Sequence, residues 1–200
     1  MRSLILGLLA LLFLPSAEGQ AVERKHLIIV FGAGAGVLQF NSNEPDLETD
    51  AMKCGAVRLN FGYAISDRWS LGIHYDRLGT SEHRNLDRSH VTTYMLETSY
   101  RPWTGEHAAL EIHAGLGAMA AALYPIDARL PFVAGGSAVA LGVRYLHLIT
   151  PTIGAFTAFD HTATSSNELT LEGGSVDPSG TPVKLQWNAQ RISAGLFVRF

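Results

Sequence analysis

Few residues in the chain have types and spacing that could support chemistry. His74 and Asp76 stand two apart, where a carboxylate can orient an imidazole as a base, but no serine or cysteine nucleophile stands beside them. His90 and His161 have Ser89, Thr162 and Ser165 close in sequence, the minimal components of acyl transfer without a third residue at telling spacing. Glu44, Asp46, Glu48 and Asp50 alternate as calcium ligands can, yet lack the glycine turn and closing bidentate glutamate of an EF-hand loop. Gly32, Gly34 and Gly36 are spaced too evenly for a phosphate loop, and no helix or Lys-Ser/Thr follows them. Neither a metal nor a cofactor is therefore expected, and no catalytic residue is assigned.

Composition narrows the classes further. The 200 residues carry 15 Lys+Arg against 18 Asp+Glu, a net charge of -3 with no basic surplus for nucleic acid. One cysteine, Cys54, excludes a disulfide scaffold and a cysteine zinc site. Arg2, the apolar run Leu4 to Leu14 and the small-x-small pattern Ala17-Glu18-Gly19 read as a secretory signal over residues 1–19, leaving a domain over 20–200.

The elements that must position these residues are strands. Apolar residues recur at every second position, as in Leu27, Ile29, Phe31 and in Val57, Leu59, Phe61, Tyr63, Ile65. Turn residues divide the chain into eight such segments, near 25–40, 52–65, 69–78, 90–101, 107–124, 134–148, 152–161 and 183–200. The stretch from Val133 to Ile149 is long and apolar, but Arg144, His147, three glycines and its alternation favour a strand over a membrane helix. Connections alternate long and short, so all four long loops share one side. The last of them, from Ala163 to Pro182, is rich in Ser, Thr, Gly and Asn, and with the acidic first loop is expected to form a mobile surface.

The two faces of the strands distinguish a soluble barrel from a membrane barrel. One face collects Arg58, His74, Asp76, Glu97, Glu111, His113, Arg144, Arg191 and Arg199, together with most of the strand glycines. The other is apolar and carries Tyr63, Trp69, Tyr100, Tyr145 and Phe200 at the short-turn ends, which fits an interfacial aromatic girdle. The expectation is an all-β, closed antiparallel eight-stranded transmembrane barrel whose polar lumen is filled by those nine residues as an ion-pair network.

The closing segment Ser193-x-Gly195-x-x-Val198-x-Phe200 resembles the terminal signal by which outer-membrane barrels are handed to the barrel-assembly machinery. With the export signal and the loop pattern, the chain resembles the small eight-stranded outer-membrane proteins of Gram-negative bacteria, the OmpA transmembrane domain and OmpX group, over its mature length. The resemblance implies the cell outer membrane as location, outer-membrane lipids and lipopolysaccharide as partners, the assembly machinery as a partner in biogenesis, and a monomer. Nothing follows Phe200, so the peptidoglycan-binding domain of full-length OmpA is not expected. His74-Tyr75-Asp76 also resembles the His-x-Ser element of lipid A 3-O-deacylase barrels, but an aspartate occupies the nucleophile position and the pair lies on the third strand. A structural or surface-interaction barrel is the favoured function, with a narrow solute channel or a lipid A-modifying enzyme as alternatives.

Overall fold

The computed structural model describes residues 27–42, 51–81, 86–126, 131–171, 174–175 and 183–200. The signal segment 1–19, the four acidic residues of the first loop and residues 172–173 and 176–182 of the last loop lie outside them. Eight long strands run in chain order: β1 (Leu27–Ser42), β2 (Met52–Ala64), β3 (Trp69–Thr80), β4 (Leu86–Thr104), β5 (Ala108–Pro125), β6 (Phe132–Leu148), β7 (Ile153–Leu171) and, after the two-residue β8 (Gly174–Ser175), β9 (Leu185–Arg199). Consecutive long strands pair antiparallel, and β9 pairs with both β7 and β1, so the sheet closes on itself. Closure leaves no unpaired edge, the condition a sheet must meet to cross a bilayer.

Short turns cluster at one end. Ser66 and Thr150 each use a side-chain hydroxyl to accept a backbone N–H three residues on, from Trp69 at 3.1 Å and from Ile153 at 2.9 Å. At the same end Leu27 and Phe200 exchange backbone hydrogen bonds that join the first and last strands. No helix of the described residues is long and apolar enough to cross a membrane, and Val133 to Leu148 lies within β6 as a strand.

β7 departs furthest from its expected bounds, while β4 runs a few residues past its own at both ends. β7 continues to Leu171, so residues 163–171 are ladder and not loop. Thr162, Thr164 and Ser166 point inward, Ser166 Oγ accepts the Leu185 N–H at 2.7 Å, and Leu169 is buried. Hydroxyl side chains on both faces hide the alternation that apolar residues make visible, while threonine itself favours a strand.

The interior is layered. Nearest the short turns, Ile28, Val30, Leu146, Phe156, Ala158 and Phe197 form a small apolar cluster. Above it lies a belt of charge, and above that a larger apolar core including Leu38, Phe40, Met52, Leu78, Met119 and Trp187, with the Phe40 and Trp187 rings 4.8 Å apart. The buried charge of the lumen is thus gathered in a middle belt between two apolar clusters. Gly32 and Gly195 face each other across β1 and β9, and a Cβ on Gly32 would sit 2.5 Å from Phe156 Cζ. Their missing side chains are the space that ring occupies.

Candidate functional site

The charged belt is assembled from seven of the eight long strands. Parity sends Arg58 and Asn60 of β2 inward, opposite Asp76 and His74 of β3, and continues through Glu97 of β4, Glu111 and His113 of β5, Arg144 of β6, Asp160 of β7 and Arg191 of β9. All are buried, and each cation meets at least one carboxylate, as ionised groups in a low-dielectric interior must.

Two carboxylates are the hubs of the upper tier. Asp160 receives Arg58 Nη2 and His113 Nε2, each at 2.5 Å, and has Arg191 Nε at 3.6 Å. Asp76 receives Arg191 Nη2 and His74 Nε2, the latter at 2.5 Å. Gly142 makes this tier possible, since a Cβ there would lie 2.5 Å from both Asp160 Oδ1 and His113 Nε2. In the lower tier Arg144 bridges Glu111 at 2.7 Å and Glu97 at 3.0 Å. Glu97 also accepts from Asn60 Nδ2 at 2.9 Å and lies 2.9 Å from His74 Nδ1. His74 therefore joins the tiers, with Nε2 on Asp76 and Nδ1 facing Glu97. Half-buried Arg101 adds a contact to Glu111 at 3.2 Å, which sets four arginines, Arg58, Arg101, Arg144 and Arg191, against four carboxylates, Asp76, Glu97, Glu111 and Asp160. Beside Glu97, Glu111 and Arg144 a cavity leaves space for about one water molecule.

Arg199 stands apart from this network. It shares the inward parity of Arg191, but lies at the barrel end, where Nη2 donates to the Pro151 carbonyl at 3.3 Å. Parity predicts direction and not height, which is why sequence placed it with the others. Asp160, in turn, was missed. Its inward neighbours Phe156 and Ala158 are apolar, so β7 shows no polar face until Asp160 itself; a charge directly after outward Phe159 was the available signal.

The remaining candidates are dispersed. His90 and His161 face outward, but Ser89 points inward to bond Thr80 Oγ1 at 2.6 Å, and Thr162 is buried inside. Ser165 shares the outward face of His161 four residues along an extended strand, roughly 13 Å away and too far for proton transfer. Among the described residues no group of His, Cys, Asp and Glu is placed to hold a metal. Of the closing-strand residues, Ser193 is buried, Gly195 backs Gly32, Val198 pairs with Ile29 and Ile153, and Phe200 is exposed at the rim.

The outside of the barrel completes the picture. Around the charged belt, Phe31, Phe61, Leu71, Ile73, Leu96, Leu116, Leu141, Phe159, Ile192 and Leu196 are all exposed. Trp69 packs on Tyr100 at 4.8 Å at the short-turn boundary of this apolar girdle, and Tyr75 on Tyr94 at 5.3 Å at the other. A closed barrel with charge inside and a continuous apolar surface outside is built to face lipid. Its architecture is that of the small outer-membrane barrels. Neisserial surface protein A is similar over 87% of this chain and 97% of its own, at 15% identity and a TM-score of 0.62. OprG of Pseudomonas aeruginosa is similar over 88% and 97%, at 15% identity and a TM-score of 0.51, and AlkL over 94% and 96%, at 10% identity and 0.50. No family model and no curated protein sequence matches the chain. At these identities the outer-membrane barrels share its fold, while the charges of its belt are read from this chain alone.

Proposed function

We propose that the protein is a non-enzymatic barrel of a Gram-negative outer membrane, closed to solutes, that serves as a rigid support for a surface presented to lipopolysaccharide or to external partners. The observation that carries this reading is the stacked interior. A solute crossing the barrel would have to pass an apolar core containing Trp187 and Phe40, then four paired arginines, then a second apolar cluster containing Phe156 and Phe197. Eight strands enclose a space just wide enough for side chains, and here side chains fill it. Acyl transfer on lipid needs a nucleophile beside its base on the outward wall, whereas Ser89 and Thr162 face inward and Ser165 stands about 13 Å along the strand from His161. The well-formed constellation, Asp76 with His74 and Arg191, is enclosed where no lipid substrate reaches it.

Purified barrel in planar bilayers, with mass spectrometry of lipid A from cells that make it, tests the reading. No steady single-channel current and unaltered lipid A are expected. Currents abolished by substitutions in the belt would establish a channel, and a lipid A change lost on His90→Ala or His161→Ala would establish an enzyme.

A further inference from the structure

Just above the apolar girdle three cations of the described residues gather on one side of the outward wall, while exposed Lys184 stands farther up, ahead of β9. Just beyond the Tyr75 and Tyr94 boundary, β6, β7, β9 and β1 present Ser137, His161, Gln190 and Gln39, whereas β2, β3 and β4 present Lys53, Arg77 and Arg88, with His90 between the arginines. Lys53 and Arg77 are exposed and form no ion pair with a described residue. Arg88 has Asp87 Oδ2 at 3.9 Å, both side chains 65% exposed, and its guanidinium lies 4.6 Å from the centre of the Tyr124 ring, which orients it.

The surface between these cations is recessed. Gly55 and Gly79 face each other across β2 and β3 on the outward side. No atom lies within 4 Å of the place a Gly55 Cβ would occupy, and the nearest to that of Gly79 is the Ser89 carbonyl at 4.0 Å. Partial burial, then the charges of Arg77 and Arg88, hold the His90 imidazole below the usual histidine range. Both guanidiniums are thus within electrostatic reach of one ring, and the net charge of the recess comes from Lys53, Arg77 and Arg88.

We propose that this recess on β2, β3 and β4 seats the phosphate of an anionic, phosphorylated glycolipid of the surrounding leaflet. The assignment rests on the outer-membrane reading above and adds a specific binding site on the outward wall to it. Guanidinium groups bind phosphate oxygens through paired charge-assisted hydrogen bonds, and lysine adds a point charge. Height selects a lipid over a soluble anion. The cations begin directly above Tyr75 and Tyr94, so a phosphate held by them leaves its acyl chains lying along Tyr75, Ile73 and Leu71 of β3. A free phosphate would use the cations and leave that apolar strip unused.

The test uses the full barrel refolded in zwitterionic lipid nanodiscs and titrated with a bis-phosphorylated glucosamine lipid or its dephosphorylated counterpart, retained lipid being read by native mass spectrometry. Wild type should retain the phosphorylated lipid selectively, and each cation removed among Lys53→Gln, Arg77→Gln and Arg88→Gln should weaken retention roughly fivefold. Gln39→Ala on the neutral wall should change nothing. Heat-modifiable migration, expected in all variants because these side chains are exposed, reports insertion separately. Its loss in wild type would count against the membrane reading itself. Equal retention of both lipids, unchanged retention in the triple variant, or equal binding of inorganic phosphate would overturn the proposed lipid seat while leaving the barrel reading intact.

Discussion

The lower and upper halves of this barrel are built on opposite principles. In the half nearer the short turns, apolar side chains face out and the interior holds the charged belt above a small apolar cluster. In the half nearer the long loops, the interior is Leu38, Met52, Leu78, Val91 and Trp187, and the outward positions are Gln39, Lys53, Arg77, Thr92 and Asn188. The same strands make both. β2 reads Met52, Cys54, Ala56 inward and Lys53 outward, then Val57, Leu59, Phe61 outward and Arg58, Asn60 inward, with no break in its register to β1 or β3. Polarity inverts between Ala56 and Val57 while the backbone continues. The difference marks where the solvent changes: a barrel that faces lipid must hide its charge, and one that faces water must hide its apolar side chains.

If the lower half depends on its charges, the largest effect should come from removing a hub. Asp160→Ala leaves Arg58, Arg191 and His113 without their shared carboxylate, and should cost on the order of 3–5 kcal/mol in reversible urea unfolding from lipid vesicles. Glu97→Ala should fall in the same range, lowered if the adjacent water-sized cavity lets solvent in. The upper half should respond instead to lost packing. Trp187→Ala should cost about 3 kcal/mol or more, with faster protease cleavage at the long loops and little change to the belt. Outward charges sharpen the boundary. Leu96→Arg, in the lipid girdle, should cost about 2–4 kcal/mol, whereas Thr92→Arg, two outward positions farther toward the upper half of β4 and just past Tyr94, should cost markedly less. Gly142→Ala should cost about 1–3 kcal/mol, since Asp160 and His113 must yield to the new methyl. The smallest effect belongs to Ser165→Lys on the exposed upper wall, expected within about 0.5 kcal/mol.

Much of this was legible in the chain, for a physical reason. Lipid-facing alternation is a two-residue rule enforced by solvent, so the strand count, the closed antiparallel order and the inward direction of Arg58, His74, Asp76, Glu97, Glu111, His113, Arg144 and Arg191 follow from parity. What parity cannot carry is height and partnership. It placed Arg199 with the belt although it lies at the rim, and it passed over Asp160, whose preceding inward neighbours, Phe156 and Ala158, are apolar. It also overlooked the inversion. Met52, Leu78 and Val91 lie on the parity that holds Arg58, Asp76 and Glu97 farther down their strands, and a face assigned once per strand averages the two signals away. The grouping of Lys53, Arg77 and Arg88 was the least legible feature, because it exists only once three strands are in register.

The inversion can be measured directly along β2. In a Cys54→Ala background, single cysteines at 52 to 63 carry a spin label, and collision with oxygen, concentrated in lipid, is compared with collision with a water-soluble nickel chelate. Positions 57, 59, 61 and 63 should be accessible to oxygen, 53 and 55 to the chelate, and the even positions to neither. Oxygen accessibility continuing through 55 and 53, or chelate access to 52, 54 and 56, would show that the upper half is either lipid-embedded or open inside, and would contradict a barrel that reverses its polarity at the outer edge of the membrane.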